Sequence, residues 1–132
     1  MEKQIWQTIR SKLNDFFIQR IETSIERGIP DVHYCVDGVS GWLEGKYLQS
    51  PKREKTKLKL KLSIEQIAWH KSYSHNGGLV YLIVKKDKQI YLFDSNDGEA
   101  LAKGVTREEW EKIALAKDWN TIRIFLSKKE KK

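Results

Sequence analysis

One stretch constrains the fold of this chain more than any other: residues 28–46, with the sequence GIPDVHYCVDGVSGWLEGK. Pro30 prevents a preceding helix from continuing into it, and glycines divide the stretch at a turn. The alternation of side chains predicts two strands, over residues 29–37 and 42–48. Strand side chains alternate between faces, so Glu44 and Lys46 share a face, and pairing of the strands brings Asp31 to the same edge.

Two carboxylates and an ammonium group gathered in this way suit metal-dependent cleavage of a phosphodiester. Carboxylate oxygens bind hard cations, and the lysine meets negative charge on the attacking water or on the phosphate. The alternative is a chance arrangement, because a Glu-x-Lys pair is common on exposed strand faces. The hairpin alone leaves both interpretations open.

Composition excludes several other classes of protein. The chain has 132 residues, of which 39% are hydrophobic and 33% charged, so we predict a single folded domain over residues 1–132 with a frayed basic tail at 127–132. Cys35 is the lone cysteine, which favours a reducing compartment without a disulfide or a thiolate metal site. The longest uncharged apolar run, residues 77–84, is too short to span a bilayer. No signal peptide is visible, and the expectation is a soluble cytoplasmic protein (host cytoplasm if the source is viral) without a membrane partner.

The remaining elements are predicted from periodicity and capping signals. Apolar residues recur every fourth position over residues 2–26, which indicates a helix that Asn14-Asp15 would divide if it breaks there. Capping boxes at Ser63-Ile64-Glu65-Gln66 and at Thr106–Glu109 predict helices to about His75 and Lys117. Strands are predicted over 79–85, 89–94 and 121–126. The order of elements predicts an α/β (α+β) fold, with a mixed β-sheet flanked by helices.

A basic strip follows the hairpin. The chain carries 25 Lys and Arg against 18 Asp and Glu, a net charge of +7. Residues 57–62 read K-L-K-L-K-L, which predicts a strand with buried leucines and exposed lysines. The lysines either protect a sheet edge from aggregation or bind phosphates, and we favour phosphate binding because the strip directly follows the proposed metal site. The predicted DNA-binding residues are Lys52, Arg53, Lys55, Lys57, Lys59 and Lys61.

Three motifs in order carry a resemblance to a known family: Gly28-Ile29-Pro30-Asp31, Glu44-Gly45-Lys46 and Ser63-Ile64-Glu65-Gln66. Together they resemble the signature of virus-type replication-repair nuclease (VRR-NUC) domains. These domains belong to the PD-(D/E)XK superfamily, alongside restriction endonucleases and archaeal Holliday-junction resolvases. The resemblance covers roughly residues 20–85 and implies a restriction-endonuclease-like mixed sheet flanked by helices.

The resemblance also implies roles for individual residues. Asp31 and Glu44 would bind Mg²⁺ or Mn²⁺, with the backbone carbonyl of Gly45 as a further ligand. Lys46 would contact the water or the scissile phosphate. Glu22, placed on the helix before the hairpin, would complete the site directly or through water. Gln66 has two interpretations: it ties the helix end as part of the capping box, or it orients water or phosphate beside the metal.

The function implied is a metal-dependent endonuclease for branched DNA, most simply a Holliday-junction resolvase. Two symmetric cuts in a two-fold junction need two sites, so a homodimer is expected, and no small-molecule cofactor is needed. The alternatives are a nuclease for flaps, duplex ends or single strands, and a basic DNA-binding module without catalysis.

Histidines and tryptophans receive mainly structural interpretations. His33 shares a face with Asp31 and could reach substrate, but it is interpreted first as a partly buried strand residue. His70 and His75 are interpreted as residues on a helix surface. The five tryptophans are assigned mostly to the core, with one or two available to a dimer interface.

Overall fold

The described residues form five α-helices and five strands. The computed structural model describes residues 1–22 and 27–130. The helices are α1 (Lys3–Lys12), α2 (Ile64–His75), α3 (Gly98–Lys103), α4 (Arg107–Ile113) and α5 (Trp119–Leu126). The strands are β1 (Phe17–Arg20), β2 (Val32–Val36), β3 (Val39–Leu48), β4 (Val80–Lys86) and β5 (Gln89–Asp94).

The strands form one mixed sheet in the order β1-β2-β3-β4-β5. Neighbouring strands are antiparallel except β3 and β4, which are parallel. A parallel pair needs a long crossover connection, and α2 lies within it. The predicted fold class, a mixed sheet flanked by helices, is confirmed.

Two apolar cores cover the two faces of the sheet. One core joins α1 and α5 to the sheet, through residues such as Ile5, Ile9, Tyr34, Leu43 and Ile122. The second joins α3 and α4 to the other face, through residues such as Leu58, Leu82, Phe93, Leu101 and Trp110. β4 is therefore buried on both faces, as its uninterrupted apolar run from Val80 to Val84 requires.

The helix predicted over residues 2–26 is wrong in its second half. α1 ends at Lys12, and Phe17–Arg20 forms an edge strand that pairs antiparallel with β2. Burial changes period at this point: Ile5, Ile9 and Leu13 are buried at helical spacing, whereas Phe16 is buried and its neighbour Phe17 is 58% exposed. Cross-strand pairing with β2 overrides the four-residue apolar spacing. The part of the prediction that falls on residues 23–26 lies outside the described residues.

The strand predicted over residues 121–126 is a helix instead. Asp118 caps α5 by accepting a hydrogen bond from the Thr121 backbone N–H at 2.8 Å. Ile122 and Leu126 are buried four residues apart, while Ile124 between them is 57% exposed, which is helical periodicity. The helix predicted to reach Lys117 ends earlier, at Ile113. Of the predicted tail, residues 131–132 lie outside the described residues.

Candidate active site

Antiparallel register places the two candidate carboxylates opposite each other. Val32 on β2 pairs with Leu43 on β3, so Asp31, which directly precedes β2, stands across from Glu44. The Gly45 backbone N–H donates a hydrogen bond of 3.0 Å to Asp31 Oδ2. The Asp31 side chain is 17% exposed and that of Glu44 only 1%, so the pair lies in a largely dry position.

Burial raises the pKa of both acids, and the neighbouring Glu44 raises that of Asp31 further. Desolvation, followed by the hydrogen bond and the charge of Glu44, raises the pKa of Asp31 to about 7. Desolvation also raises the pKa of Glu44. The Met1 ammonium, 3.8 Å from Asp31 Oδ1, offsets this only in part. The charged form of Asp31 is therefore disfavoured in the metal-free site, and a bound divalent cation would favour it.

The donor atoms at this point suit a hard cation. Asp31 and Glu44 supply carboxylate oxygens, and the Gly45 carbonyl lies in the chain between Glu44 and Lys46. Across the described part of the chain, no cluster of three or more His, Cys, Asp or Glu side chains is arranged to hold a metal ion. A cation here would thus complete its coordination with backbone oxygen and water, as Mg²⁺ commonly does.

Gly45 is required by packing as well as by its place between the two site residues. A Cβ at this position would lie 2.7 Å from Met1 Sδ and 2.9 Å from Ile5 Cγ2. The glycine therefore lets α1 approach the back of β3 directly behind the carboxylates. The same residue donates its N–H to Asp31, so the close packing of α1 fixes the backbone that holds the site.

Gln66 links the helix cap to the site, so the geometry accommodates both interpretations of this residue. Its Oε1 accepts a hydrogen bond of 2.9 Å from the Ser63 backbone N–H, and the Ser63 hydroxyl accepts one from the Gln66 N–H, which completes the predicted capping box. The same Oε1 accepts a bond of 3.4 Å from Lys46 Nζ. Its Nε2 donates to Glu44 Oε2 at 3.3 Å.

His70 contacts the site, contrary to its predicted place on the helix surface. Its Nε2 lies 3.3 Å from Glu44 Oε1, and its side chain is 1% exposed. Gln66 and His70 are four residues apart on α2 and so share a helix face. That spacing was the available signal: once Gln66 is placed at the site, His70 should follow. His75 is exposed as predicted.

Glu22 is not on a helix, which corrects its predicted placement. It follows β1, its side chain is 74% exposed, and its Oε1 pairs with Arg20 Nη2 at 3.2 Å. Glu22 does line a cavity of about 560 Å³ in front of Asp31. Other residues around that cavity include Arg20, Arg27, Ser63 and Gln66. The cavity provides room for a charged substrate beside Asp31, and a ligand role for Glu22 stays a prediction.

The basic strip is exposed, but it is not a regular strand. All six basic side chains from Lys52 to Lys61 are exposed, and Leu58 and Leu60 between them are buried. Leu58 forms an isolated bridge with Val105 instead of a ladder. Arg107 anchors the start of the strip by donating to the carbonyl oxygen of Pro51 at 2.6 Å. The strip leads directly to Ser63 and so to the helix that carries Gln66.

Comparison with known proteins supports the fold. The chain resembles the solved structure of Hjc, a Holliday junction resolvase from the archaeal hyperthermophile Archaeoglobus fulgidus, with a TM-score of 0.54 and 14% sequence identity. The match covers 83% of this chain and 98% of the resolvase. No protein-family model matches the chain, and no curated protein matches its sequence.

These comparisons define the class of fold and leave the finer assignment open. The chain has the α+β fold of a Holliday junction resolvase, with the Asp31–Glu44 pair on its mixed sheet. At 14% identity the likeness concerns the fold alone. The narrower VRR-NUC resemblance is not confirmed, since no family model matches. Within residues 1–22 and 27–130, no helix has the length and apolar character of a membrane span.

Proposed function

We propose that this protein is a metal-dependent endonuclease that cleaves branched DNA, with the Holliday junction as its principal substrate. One observation carries the proposal: Asp31, Glu44, Lys46 and Gln66 lie together on a resolvase-like fold. Gln66 is hydrogen-bonded to both Lys46 and Glu44, and Asp31 accepts a hydrogen bond from the Gly45 backbone N–H beside Glu44. The net charge of +7 and the exposed lysines of the strip support a polyanionic substrate.

Each residue of the candidate site would have a separate role in DNA cleavage. When bound, Mg²⁺ or Mn²⁺ supplies an activated water and neutralises charge on the phosphate. Asp31, Glu44 and the Gly45 carbonyl would hold the cation. Lys46 would place its ammonium group against the water or the scissile phosphate, and Gln66 holds that ammonium group beside Glu44.

A homodimer is the assembly that suits this substrate. A four-way junction has two-fold symmetry, and two symmetric cuts require two sites related by the same symmetry. The strip from Lys52 to Lys61 on each protomer would hold the arms of the junction through phosphates, without reading bases. A cytoplasmic, reducing location is consistent with the lone Cys35, which forms no disulfide within the chain.

A second candidate is a nuclease for flaps, duplex ends or single strands. The observation that favours it is the open aromatic surface next to the carboxylates, on the face of β1, β2 and the start of β3 that carries Phe17, His33 and Trp42. A non-catalytic DNA-binding module is disfavoured, because such a module would have no use for two buried carboxylates with raised pKa values.

A cleavage assay tests the proposal, with four-way junction, flap, duplex and single-stranded DNA side by side in Mg²⁺, Mn²⁺ or EDTA. We expect cutting of the junction to require a divalent cation and to be lost in Asp31→Asn. The matched control is Asp37→Asn, the same change at the exposed turn of the same hairpin, where the positive φ of 50° suits asparagine. Cutting that persists in EDTA or in Asp31→Asn would contradict the mechanism.

A further inference from the structure

Part of the sheet face that carries the carboxylates is open to solvent. On β1, β2 and the start of β3, alternation places Phe17, Gln19, His33, Ser40 and Trp42 on the same face as Asp31 and Glu44. Phe17 is 58% exposed, Gln19 and Ser40 are exposed, and His33 and Trp42 are partly exposed. Aromatic rings and polar side chains therefore share one accessible surface.

The rings on this surface form a continuous aromatic row, which comprises Phe17, His33, Trp42, Trp69 and Tyr73. Ring centroids are 6.4 Å apart from Phe17 to His33, 4.9 Å from His33 to Trp42 and 5.6 Å from Trp42 to Trp69. Trp69 and Tyr73 on α2 stack at 4.9 Å with an angle of 11°. The row thus runs from the edge strand β1 to the helix that carries Gln66 and His70.

The middle of the aromatic row lies next to the carboxylates in sequence. Trp42 is two residues before Glu44, and His33 is two residues after Asp31, so each pair is separated by about 7 Å along its strand. His33 and Trp42 are themselves directly paired across β2 and β3. A phosphodiester held at the carboxylates would therefore place the base of a neighbouring nucleotide over this His–Trp pair.

We infer that the aromatic row is a stacking platform for unpaired nucleobases of the DNA strand that occupies the Asp31–Glu44 site. Aromatic side chains on an open sheet face are a recurrent way to bind single-stranded nucleic acid, because every base has a π face. Bases inside a duplex are already stacked, so the row selects DNA with unpaired nucleotides beside the cleaved bond, as at a flap or an opened branch point. The inference rests on the proposed nuclease function and names its substrate class.

A second copy of the chain is a less suitable occupant of this surface. Among the described residues of the aromatic row, Phe17 is the one large hydrophobic residue that is more than half exposed. The exposed polar residues Gln19 and Ser40 flank the rings. Stable protein interfaces bury roughly 800 Å² on each partner around an apolar centre. Bases, which combine planar apolar faces with polar edges and a charged backbone, match the mixed surface and the basic chain better.

The test is DNA binding in EDTA, which separates binding from cleavage. Fluorescence anisotropy would compare an oligo-dT strand, a blunt duplex and the same duplex with an oligo-dT overhang at fixed salt concentration. Phe17→Leu keeps an apolar side chain and removes the ring, and His33→Leu tests the ring beside the carboxylates. The control is Tyr47→Leu, which removes a 46% exposed ring on the opposite face of β3.

We expect Phe17→Leu and His33→Leu each to weaken binding of the single strand and the overhang about five- to tenfold, with blunt duplex binding unchanged. Tyr47→Leu should leave all three unchanged. Equal losses for duplex and single strand, or equal effects of Phe17→Leu and Tyr47→Leu, would overturn the inference. Loss of a dimer in Phe17→Leu on sedimentation, with unchanged DNA binding, would assign the row to a copy of the chain and also overturn it. Wild-type cleavage is measured separately in Mg²⁺. If the wild type cleaves DNA but the binding results above fail, only the stacking platform is overturned; if the wild type does not cleave, the nuclease proposal itself fails.

Discussion

His70 Nε2 lies 3.3 Å from Glu44 Oε1, and both side chains are 1% exposed. With Gln66 Nε2 at 3.3 Å from Glu44 Oε2, the two carboxylate oxygens each have a partner on α2. A buried carboxylate without such partners would be costly, and its orientation would be poorly fixed. α2 therefore sets the position of the acid that would hold the cation.

Replacement of His70 should impair cleavage without removing any ligand. We expect His70→Ala to lower kcat for junction cleavage about 10- to 100-fold, the usual effect of losing a partner of a metal-binding side chain, with KM for DNA little changed. His70→Gln retains an N–H donor and should recover part of the activity. The control is His75→Ala, at an exposed position on the same helix. A kcat for His70→Ala equal to that of the control would show that Glu44 needs no support from α2.

Asp31→Asn should stabilise the metal-free protein, and more so at alkaline pH. Burial and the charge of Glu44 raise the pKa of Asp31 from 3.8 to about 7, so the folded state binds more protons than the unfolded state between these values. The contribution of Asp31 to the free energy of unfolding is therefore most favourable below about pH 4. It falls as pH rises through 7, by roughly a few kcal/mol at most. The neutral amide removes this loss and still accepts the Gly45 N–H bond.

Thermal melts in EDTA at pH 5 and pH 8 measure this effect. The Tm of Asp31→Asn minus that of wild type should be larger at pH 8 than at pH 5, and Asp37→Asn should show no such difference. An Asp31→Asn protein that melts lower than wild type at pH 8 would show that the carboxylate is stabilising there, against the argument from burial.

The two roles of Gln66 are separable by mutation. Ser63→Ala removes the hydroxyl that accepts the Gln66 N–H bond, at a cost of about 1 kcal/mol in stability, but leaves the bonds from Gln66 to Lys46 and Glu44. Gln66→Ala removes both sets. We expect both variants to melt at lower temperature and only Gln66→Ala to lose cleavage activity, measured with saturating Mg²⁺. Equal activity of the two variants would restrict Gln66 to the helix cap.

The parts of the site that sequence could predict are those fixed by local geometry. The alternation of β3 alone puts Glu44 and Lys46 on one face, and the turn between β2 and β3 sets the register that places Asp31 opposite Glu44. The capping box likewise depends on four consecutive residues, and it begins α2 at the predicted position. The side-chain alternation of β3, the turn before it and the cap of α2 each depend on residues close together in the sequence. They can therefore be predicted without knowledge of the tertiary structure.

The remaining features depend on contacts between distant segments. Which face of α2 meets the sheet decides that His70 is buried against Glu44, and the four-residue spacing from Gln66 indicates this only once Gln66 itself is placed at the site. Phe17–Arg20 becomes a strand because β2 offers it a partner, although its apolar spacing also fits a helix. Residues 121–126 alternate like a strand, and the decisive signal was the Asp118 cap just before them.

If the basic strip binds phosphates, its lysines should contribute to the salt dependence of DNA binding. Lys55, Lys57 and Lys59 are exposed, and if each contacts a phosphate, replacing all three by glutamine reduces the slope of log K against log salt by about 2 to 3. Binding should weaken to a similar degree for junction and duplex, because phosphate contacts carry no sequence information. The matched control replaces three exposed lysines elsewhere, Lys3, Lys12 and Lys88, and should change the slope less. Titrations by anisotropy from low to moderate salt in EDTA give both slopes. Identical slopes for the two triple variants would leave the strip with only its other role, in which exposed lysines protect the extended segment from aggregation.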